Sequence, residues 1–497
     1  MDVSRVQQSL GRLKRVWSGE LAADAVWLLK GVAIVGDFAG IQAYVLRPVP
    51  GARGAAKRLR ARSFRVAERT LRIAEAVCQE FGAASPYYVA GGRFLVSAPL
   101  QDGWRARLAT LQASIDRKLF DRFGGEVAFH LAATDYAGGV PTQALFDELQ
   151  RRRARPLEYA LMPEGGWSEK KFFDKAVGEW YKCPACLRTV PRLREVAGEV
   201  ICEGCARDIE IGTRLSRWNF DPGKVPHVRR EDVVHHFPMI GDQPASFEDL
   251  VTKAAGKQWL GHLRIDADHA GKNFLKLGGD PTRIWGLSRL LHTFFCQRVQ
   301  ELIKDSFVYP VYGGGDDLYV IGPWNLVLDL AEKLRDEFEA CTGPEGLTFS
   351  AGFALGKPHQ HILTKSEEAA AALEKAKKQG RNRICALGTV MQWNEFREVL
   401  REGKAVCQWY KPAAGSASLP SGFLQDVLWL AQTQGDVERG LWKPLLRHQV
   451  VRNLKPPGKI DEGCEKWVRG LMAGGPEWQR AAVAVRYALL AAQQAKD

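Results

Sequence analysis

The stretch YPVYGGGDDLYVIGP, residues 309–323, decides how this chain is read. Two apolar runs flank a glycine-rich turn, the pattern of a β-hairpin. At its tip stand Gly314, Gly315, Asp316 and Asp317. Glycines allow backbone geometries that let a triphosphate come close to the main chain, and two adjacent acids at a hairpin tip cannot both be core residues. They call for a counter-charge.

Upstream, HLRIDAD (262–268) reads as a strand ending in acids, and a helix is expected from about Pro281 to Lys304. Downstream come a helix (325–340), a strand (347–356), a helix (366–380) with Gly380 as its C-cap, and a strand (382–387). This β-α-β-β-α-β order is the ferredoxin-like palm arrangement, in which the first strand lies beside the hairpin. Asp266 is therefore expected to meet Asp316 and Asp317 at one end of the sheet. A few hard oxygen ligands that leave positions open for phosphate suit Mg²⁺ or Mn²⁺. Two such ions would activate a 3′-hydroxyl and neutralise departing pyrophosphate. Asp268 has two readings: a further ligand on the face of Asp266, or a cap for the following helix. In AKKQGRN (376–382), Lys377 and Arg381 either present two cations to a triphosphate or complement the helix dipole.

The same order occurs earlier in the chain. VAIVGDF (32–38) reads as a strand ending in Asp37, followed by a helix from Gly54 to about Phe81 and a strand pair in YYVAGGRFLVSAP (87–99). A helix (104–122) and the strand EVAFHLAA (126–133) complete a second palm. Asp37 matches Asp266, Gly91 and Gly92 match the later glycines, and Arg93 and Phe94 stand where Asp316 and Asp317 stand. One acid cannot hold two metals. This unit is either a metal-free nucleotide site at Asp37, Gly91 and Gly92, for the acceptor, or a structural pseudo-repeat.

Between the units, Cys183-x₂-Cys186 and Cys202-x₂-Cys205 are separated by fifteen residues. Two thiolate knuckles at this spacing make a closed tetrahedral site for structural Zn²⁺, bracing an insert poor in apolar side chains. The expected fold is α+β and multidomain: a short helical segment (1–30), a first palm (31–139), a zinc-ribbon-containing insert (140–235), a second palm (236–390) and a C-terminal helical bundle (391–497). The bundle's six tryptophans are expected in its core.

With 497 residues, 46% of them hydrophobic, the chain can bury several cores. Its net charge of +13 suits a polyanionic partner. Much of the excess lies at residues 53–72 (Arg53, Lys57, Arg58, Arg60, Arg62, Arg65, Arg69, Arg72), which read equally as a solvated helix face or a nucleic-acid contact. A second cluster is Arg151, Arg152, Arg153 and Arg155. Neither a signal peptide nor an 18-residue apolar run is present, so a cytoplasmic location without membrane contact is expected. The six cysteines outside the CxxC pairs read as ordinary thiols.

GDFAGIQ (36–42), GAAKRLRARSF (54–64), LRIDADHAGKNF (263–274) and VYGGGDDLYVIGPW (311–324) together resemble the large subunit of type III CRISPR effector complexes. The resemblance covers most of residues 31–390. It implies that the second palm condenses ATP into cyclic oligoadenylate when target RNA binds, with Asp266, Asp316 and Asp317 as metal ligands and Lys377 and Arg381 on phosphate. It also implies partners: guide and target RNA, and the backbone, small and guide-5′-end-binding subunits of the complex, onto which the C-terminal part docks. Larger members begin with a His-Asp nuclease domain; here no histidine precedes His130, so no DNA cleavage is expected. Two other readings stand beside this one, a GGDEF-like cyclic dinucleotide synthase and a non-catalytic RNA-positioning scaffold.

Overall fold

The computed structural model describes residues 3–47, 54–123, 125–161, 180–196, 198–216, 228, 232–343, 346–410, 419–433, 442–453, 462–473 and 477–493. Arg53, parts of the insert and the Pro/Gly breaks at 414–418 and 455–459 lie outside them.

Helix α1 (Val3–Ser18) precedes the first sheet-forming unit: β1 (Lys30–Ala39), α2 (Ile41–Leu46), α3 (Ala55–Phe81), β2 (Tyr88–Ala90), β3 (Arg93–Ala98), α4 (Trp104–Phe123) and β4 (Ala128–Ala137). The strands order as β2-β3-β1-β4, with every neighbouring pair antiparallel. Period-two alternation gives β1 two apolar faces. Val32, Ile34 and Phe38 pack with α3 and α4, while Ala33 and Val35 join the core shared with α1 and the second unit. Asp37 lies on the latter face.

Helix α5 (Thr142–Arg153), placed by sequence within the insert, packs on β4 and β1. Part of the insert follows: two short hairpins and α6 (Glu203–Ser216), which packs on α3.

The second unit repeats the order with β5 (Leu260–Ala267), α7 (Pro281–His292), α8 (Val299–Ile303), β6 (Tyr309–Gly314), β7 (Asp317–Pro323), α9 (Trp324–Thr342), β8 (Phe349–Gly356), α10 (Ile362–Lys378), β9 (Arg383–Ala386) and β10 (Thr389–Gln392). Its strands order as β6-β7-β5-β8-β9-β10, the arrangement of the first sheet extended by β9, parallel to β8, and β10. The single helix expected over 281–304 is interrupted by a π-helical turn, Thr293–Arg298, directly behind the hairpin. Such turns re-aim the residues beside them. Helix α10 ends earlier than expected, with Gln379 as its cap. Gly380, Arg381 and Asn382 then all take positive φ (121°, 60° and 48°).

Helices α11 (Trp393–Tyr410), α12 (Ser421–Thr433), α13 (Trp442–Asn453), α14 (Glu462–Ala473) and α15 (Glu477–Ala492) follow. Trp393 and Trp478 are buried, and the rings of Trp409 and Trp467 meet at 6.0 Å, but Trp429 stands exposed. No helix among the described residues is long and apolar enough to cross a membrane.

The basic run on α3 meets neither expectation at four of its arginines. Arg58, Arg60, Arg62 and Arg65 are buried. Arg60 donates to the carbonyl oxygens of Val234, His236 and Pro310 and lies over the rings of Phe237 and Tyr309. Arg62 and Arg65 share Asp208 at 2.8 Å each, and Arg58 reaches Glu199. These partners lie 141 to 250 positions away, so the helix is stapled to segments that its own sequence does not reveal.

Candidate active site

Strand β5 runs between β7 and β8, and its last residues bring Asp266 opposite Asp317 across the β5–β7 ladder. Residues directly opposed in a ladder project from the same face, so the two carboxylates share one side of the sheet. Asp316 occupies the two-residue turn with Gly315, and its carbonyl accepts from the Ala267 amide at 2.8 Å. The three acids foreseen from sequence therefore stand at one end of the sheet, although their carboxylate oxygens are not all within 4.8 Å of one another.

Their proximity has an electrostatic cost. Burial, the charge of Asp316 and that of Asp268 push the Asp266 carboxyl up to about 6, against the pull of a hydrogen bond from Lys377. Asp317 is pushed up to about 8, first by desolvation and then by Asp316 and Asp266. Lys377 Nζ lies 2.8 Å from Asp266 Oδ2 and 3.4 Å from Glu374. The Lys377 side chain thus faces the carboxylates from α10. A site this rich in repelling oxygens favours cation binding.

Asp268 does something else. Its Oδ1 accepts from Ser350 Oγ (2.7 Å), and its Oδ2 accepts from Thr348 Oγ1 (2.8 Å) and the Asn382 amide (2.9 Å). The buried carboxylate therefore pins the left-handed turn that carries Arg381 to the end of β5. The helix-cap reading of its side chain has no counterpart: the next short helix is preceded by His269, with no side-chain cap.

The register of the first unit corrects the sequence alignment of the two turns. Asp37 opposes Arg93, as Asp266 opposes Asp317, and each turn consists of two residues between paired strand ends, Gly91-Gly92 and Gly315-Asp316. Arg93 thus corresponds to Asp317, Gly92 to Asp316 and Gly91 to Gly315. The sequence-based match was one residue out, a shift that turns each side chain to the other face. Phe94 is accordingly core, stacked on Phe129.

The two turns touch. A Cβ on Gly91 (φ 57°) would lie 3.0 Å from the Gly314 oxygen and the Gly315 Cα. One on Gly314 would come 3.2 Å from Nδ1 of His292. Between the units opens a cavity of about 1190 Å³, lined among others by Phe38, Gly92, His292, Gly314 and Asp317. Ordinary small-molecule sites hold roughly 300–1,000 Å³, so there is room for more than one ligand. His292 escaped the sequence reading because nothing in HTFFCQR marks it; the π-helical turn and the hairpin bring it to the turn.

Away from the cleft, the thiols of Cys183, Cys186, Cys202 and Cys205 are all buried, with their sulfurs within 4.8 Å of one another. Around them, Ala185, Ile201 and Ala206 are the other fully buried apolar residues, too few for a core. The donor set fits a tetrahedral Zn²⁺.

A model described as the Cas10/Cmr2 second palm domain matches residues 259–385, and one described as Csm1 subunit domain B matches residues 32–151. The chain thus matches the Cas10/Csm1 large subunits of type III CRISPR complexes in both of its repeats. Proteins similar to this chain include one from Thermococcus onnurineus, 23% identical over 471 residues (78% of this chain, 59% of the relative). Another, from Enterococcus italicus, is 25% identical over 429 residues (74% and 56%). Both are described as a CRISPR system single-strand-specific deoxyribonuclease Cas10/Csm1 of subtype III-A. The chain spans less than two thirds of their length, so their nuclease activity says nothing of this chain. Among solved structures, a Csm1–Csm4 cassette with pppApApA superposes with a TM-score of 0.68 at 20% identity, covering 97% of this chain and 72% of that one. A Csm1–Csm4 cassette with cA4 gives 0.67 at 18% identity, with the same coverage. At that identity the likeness is one of fold.

Proposed function

We propose that the chain is the nucleotidyl-transferring large subunit of a type III CRISPR complex, and that its second repeat joins ATP into cyclic oligoadenylate. One observation carries the reading: Asp266, Asp316 and Asp317 stand at one sheet end, where burial and then their neighbouring charges push the carboxyls of Asp266 and Asp317 up. These oxygens suit two Mg²⁺ or Mn²⁺ ions, which when bound would acidify an attacking 3′-hydroxyl and screen the departing pyrophosphate. Lys377 stands close enough to bind a phosphate that approaches Asp266. Arg381, on the turn fixed by Asp268, is offered to the same triphosphate. The roomy cavity, lined by Gly91 and Gly92, lets the first repeat present a second nucleotide as acceptor, with Asp37 close by on β1. In this reading the first palm runs on through α5, and the Cys₄ cluster holds structural Zn²⁺. Guide and target RNA, the neighbouring subunits of the complex and a cytoplasmic setting complete the proposal. It draws support from solved Csm1–Csm4 relatives described in complex with one ATP, cA3 and cA4.

The experiment is incubation of the assembled complex with target RNA, Mg²⁺ and labelled ATP. Cyclic oligoadenylate should appear and vanish in the Asp316→Ala/Asp317→Ala variant. Product from GTP alone would point to the GGDEF-like reading, and no product at all to a scaffold.

A further inference from the structure

The two repeats agree further than their strands. In the second, Asp266 opposes Asp317 and accepts from Lys377 near the end of α10. In the first, Asp37 opposes Arg93 and accepts from Arg153, the last residue of α5. Helix α5 lies on β4 and β1 as α10 lies on β8 and β5. Four positions therefore correspond, Asp37 with Asp266, Gly92 with Asp316, Arg93 with Asp317 and Arg153 with Lys377. The charge they carry is inverted: net two negative in the second repeat, net one positive in the first.

The geometry of the first set is that of a held fork. Asp37 is buried; its Oδ1 accepts from Arg93 Nε at 2.8 Å, and its Oδ2 accepts from Arg153 Nε at 3.1 Å and Nη2 at 2.5 Å. The two arginine side chains are 46% and 35% exposed, against 8% for Asp37. Both terminal nitrogens of Arg93 and Nη1 of Arg153 have no acceptor among the described residues. A single buried carboxylate needs one cation for neutrality, so the second guanidinium is surplus to an ion pair. Asp37 fixes the orientation of both forks, which is what bidentate recognition of a phosphate requires. The charge of Asp316 also acts on Arg93, in keeping with the contact between the two turns.

We propose that Arg93 and Arg153, oriented by Asp37, form a phosphate clamp in the first repeat that works without a divalent cation. The proposal rests on the nucleotide-joining reading above and says how the acceptor side is held. The ligand is a phosphate of an adenine nucleotide, either free ATP or the growing oligoadenylate. An arginine pair replaces metal there because a second metal-binding acidic cluster beside the first would add to the repulsion already present at Asp266 and Asp317.

The test is equilibrium dialysis of labelled ATP against the full chain in EDTA. ATP should bind under these conditions, at least tenfold more weakly in Arg93→Ala and in Arg153→Ala, and no more weakly in Asp316→Asn/Asp317→Asn, which only removes repelling charge. Tripolyphosphate should displace it and adenosine should not. Stronger displacement by pApA than by unlabelled ATP assigns the clamp to the growing chain, and the reverse assigns it to the free nucleotide. EDTA-resistant binding that survives both arginine changes, that never occurs, or that only adenosine displaces overturns the clamp. Should the alanine variants melt early, Arg93→Lys keeps the charge beside Asp37 but loses the fork, and wild-type affinity in it would equally overturn the idea. Cyclic product from Asp316→Asn/Asp317→Asn would instead sink the catalytic reading and leave the EDTA measurement intact.

Discussion

Gly91 of the first repeat rests against Gly315 of the second, so close that a methyl group on Gly91 would stand 3.0 Å from the Gly315 Cα. Two hairpin tips from units more than two hundred residues apart in sequence thereby share one contact, and the acids of one and the arginine of the other are brought to its two sides.

Gly91→Ala should consequently damage chemistry more than folding. The substitution adds a left-handed strain of about 1 kcal/mol and must also part the two turns. Gly138, with φ 97° and nothing within 4 Å of a built Cβ, supplies the control for strain alone. Product formation should fall at least tenfold in Gly91→Ala and little in Gly138→Ala, with similar melting temperatures. Equal activity in the two would show that the contact between turns does not matter.

Asp268→Ala strips three donors of their acceptor: Thr348 Oγ1, Ser350 Oγ and the Asn382 amide. Hydrogen bonds to a charged group contribute about 1.5–3 kcal/mol each, not additively. A loss of roughly 3 kcal/mol is expected in urea unfolding, with a raised KM for ATP because the turn bearing Arg381 is released. A change in kcat alone would instead place Asp268 among the groups acting on the reacting atoms.

Cys202→Ser should release one equivalent of Zn²⁺, read by a chromogenic chelator, and lower the melting temperature. The neighbourhood of the four thiols has little apolar surface to hold it otherwise, and metal binding is then folding energy. Full zinc content in the variant would remove the metal from this cluster.

His262 is buried, with its ring Nδ1 2.8 Å from the Tyr319 hydroxyl, and burial followed by the charge of Lys365 pushes its pKa down to about 3. In the unfolded chain it titrates near 6.5. Between those values the unfolded state binds a proton that the folded state refuses, so stability from this group is complete above pH 6.5 and declines as pH falls towards 3. Going from pH 7 to pH 5 should cost roughly 2 kcal/mol through this residue. Denaturant midpoints of wild type and His262→Gln at both pH values measure it, and an equal pH-dependent loss in the two would contradict it.

Much of this could be read along the chain because it is local. Alternating apolar runs around YGGGDD and AGGR announce hairpins, helical spacing announces the intervening helices, and the C-x₂-C knuckles carry their own geometry. Asp266 could be added because the strand order of a β-α-β-β-α-β unit places its first strand beside the hairpin. The fate of charged side chains was less accessible. Nothing near Arg60 in sequence shows that it will be buried against the carbonyls of Val234, His236 and Pro310, and the arginine run looked like any solvated helix face.

The sequence by itself determined the repeat, the trio of acids and the four-thiol cluster, since each depends on spacing within one element or one unit. Tertiary structure alone decided that Arg93 answers to Asp317, that Arg153 returns to Asp37, that Asp268 serves the Arg381 turn and that the two glycine tips meet. Register and the docking of one unit on another are set by side chains packing across long stretches of chain, and a one-residue slip, invisible in composition, reverses which face every residue presents.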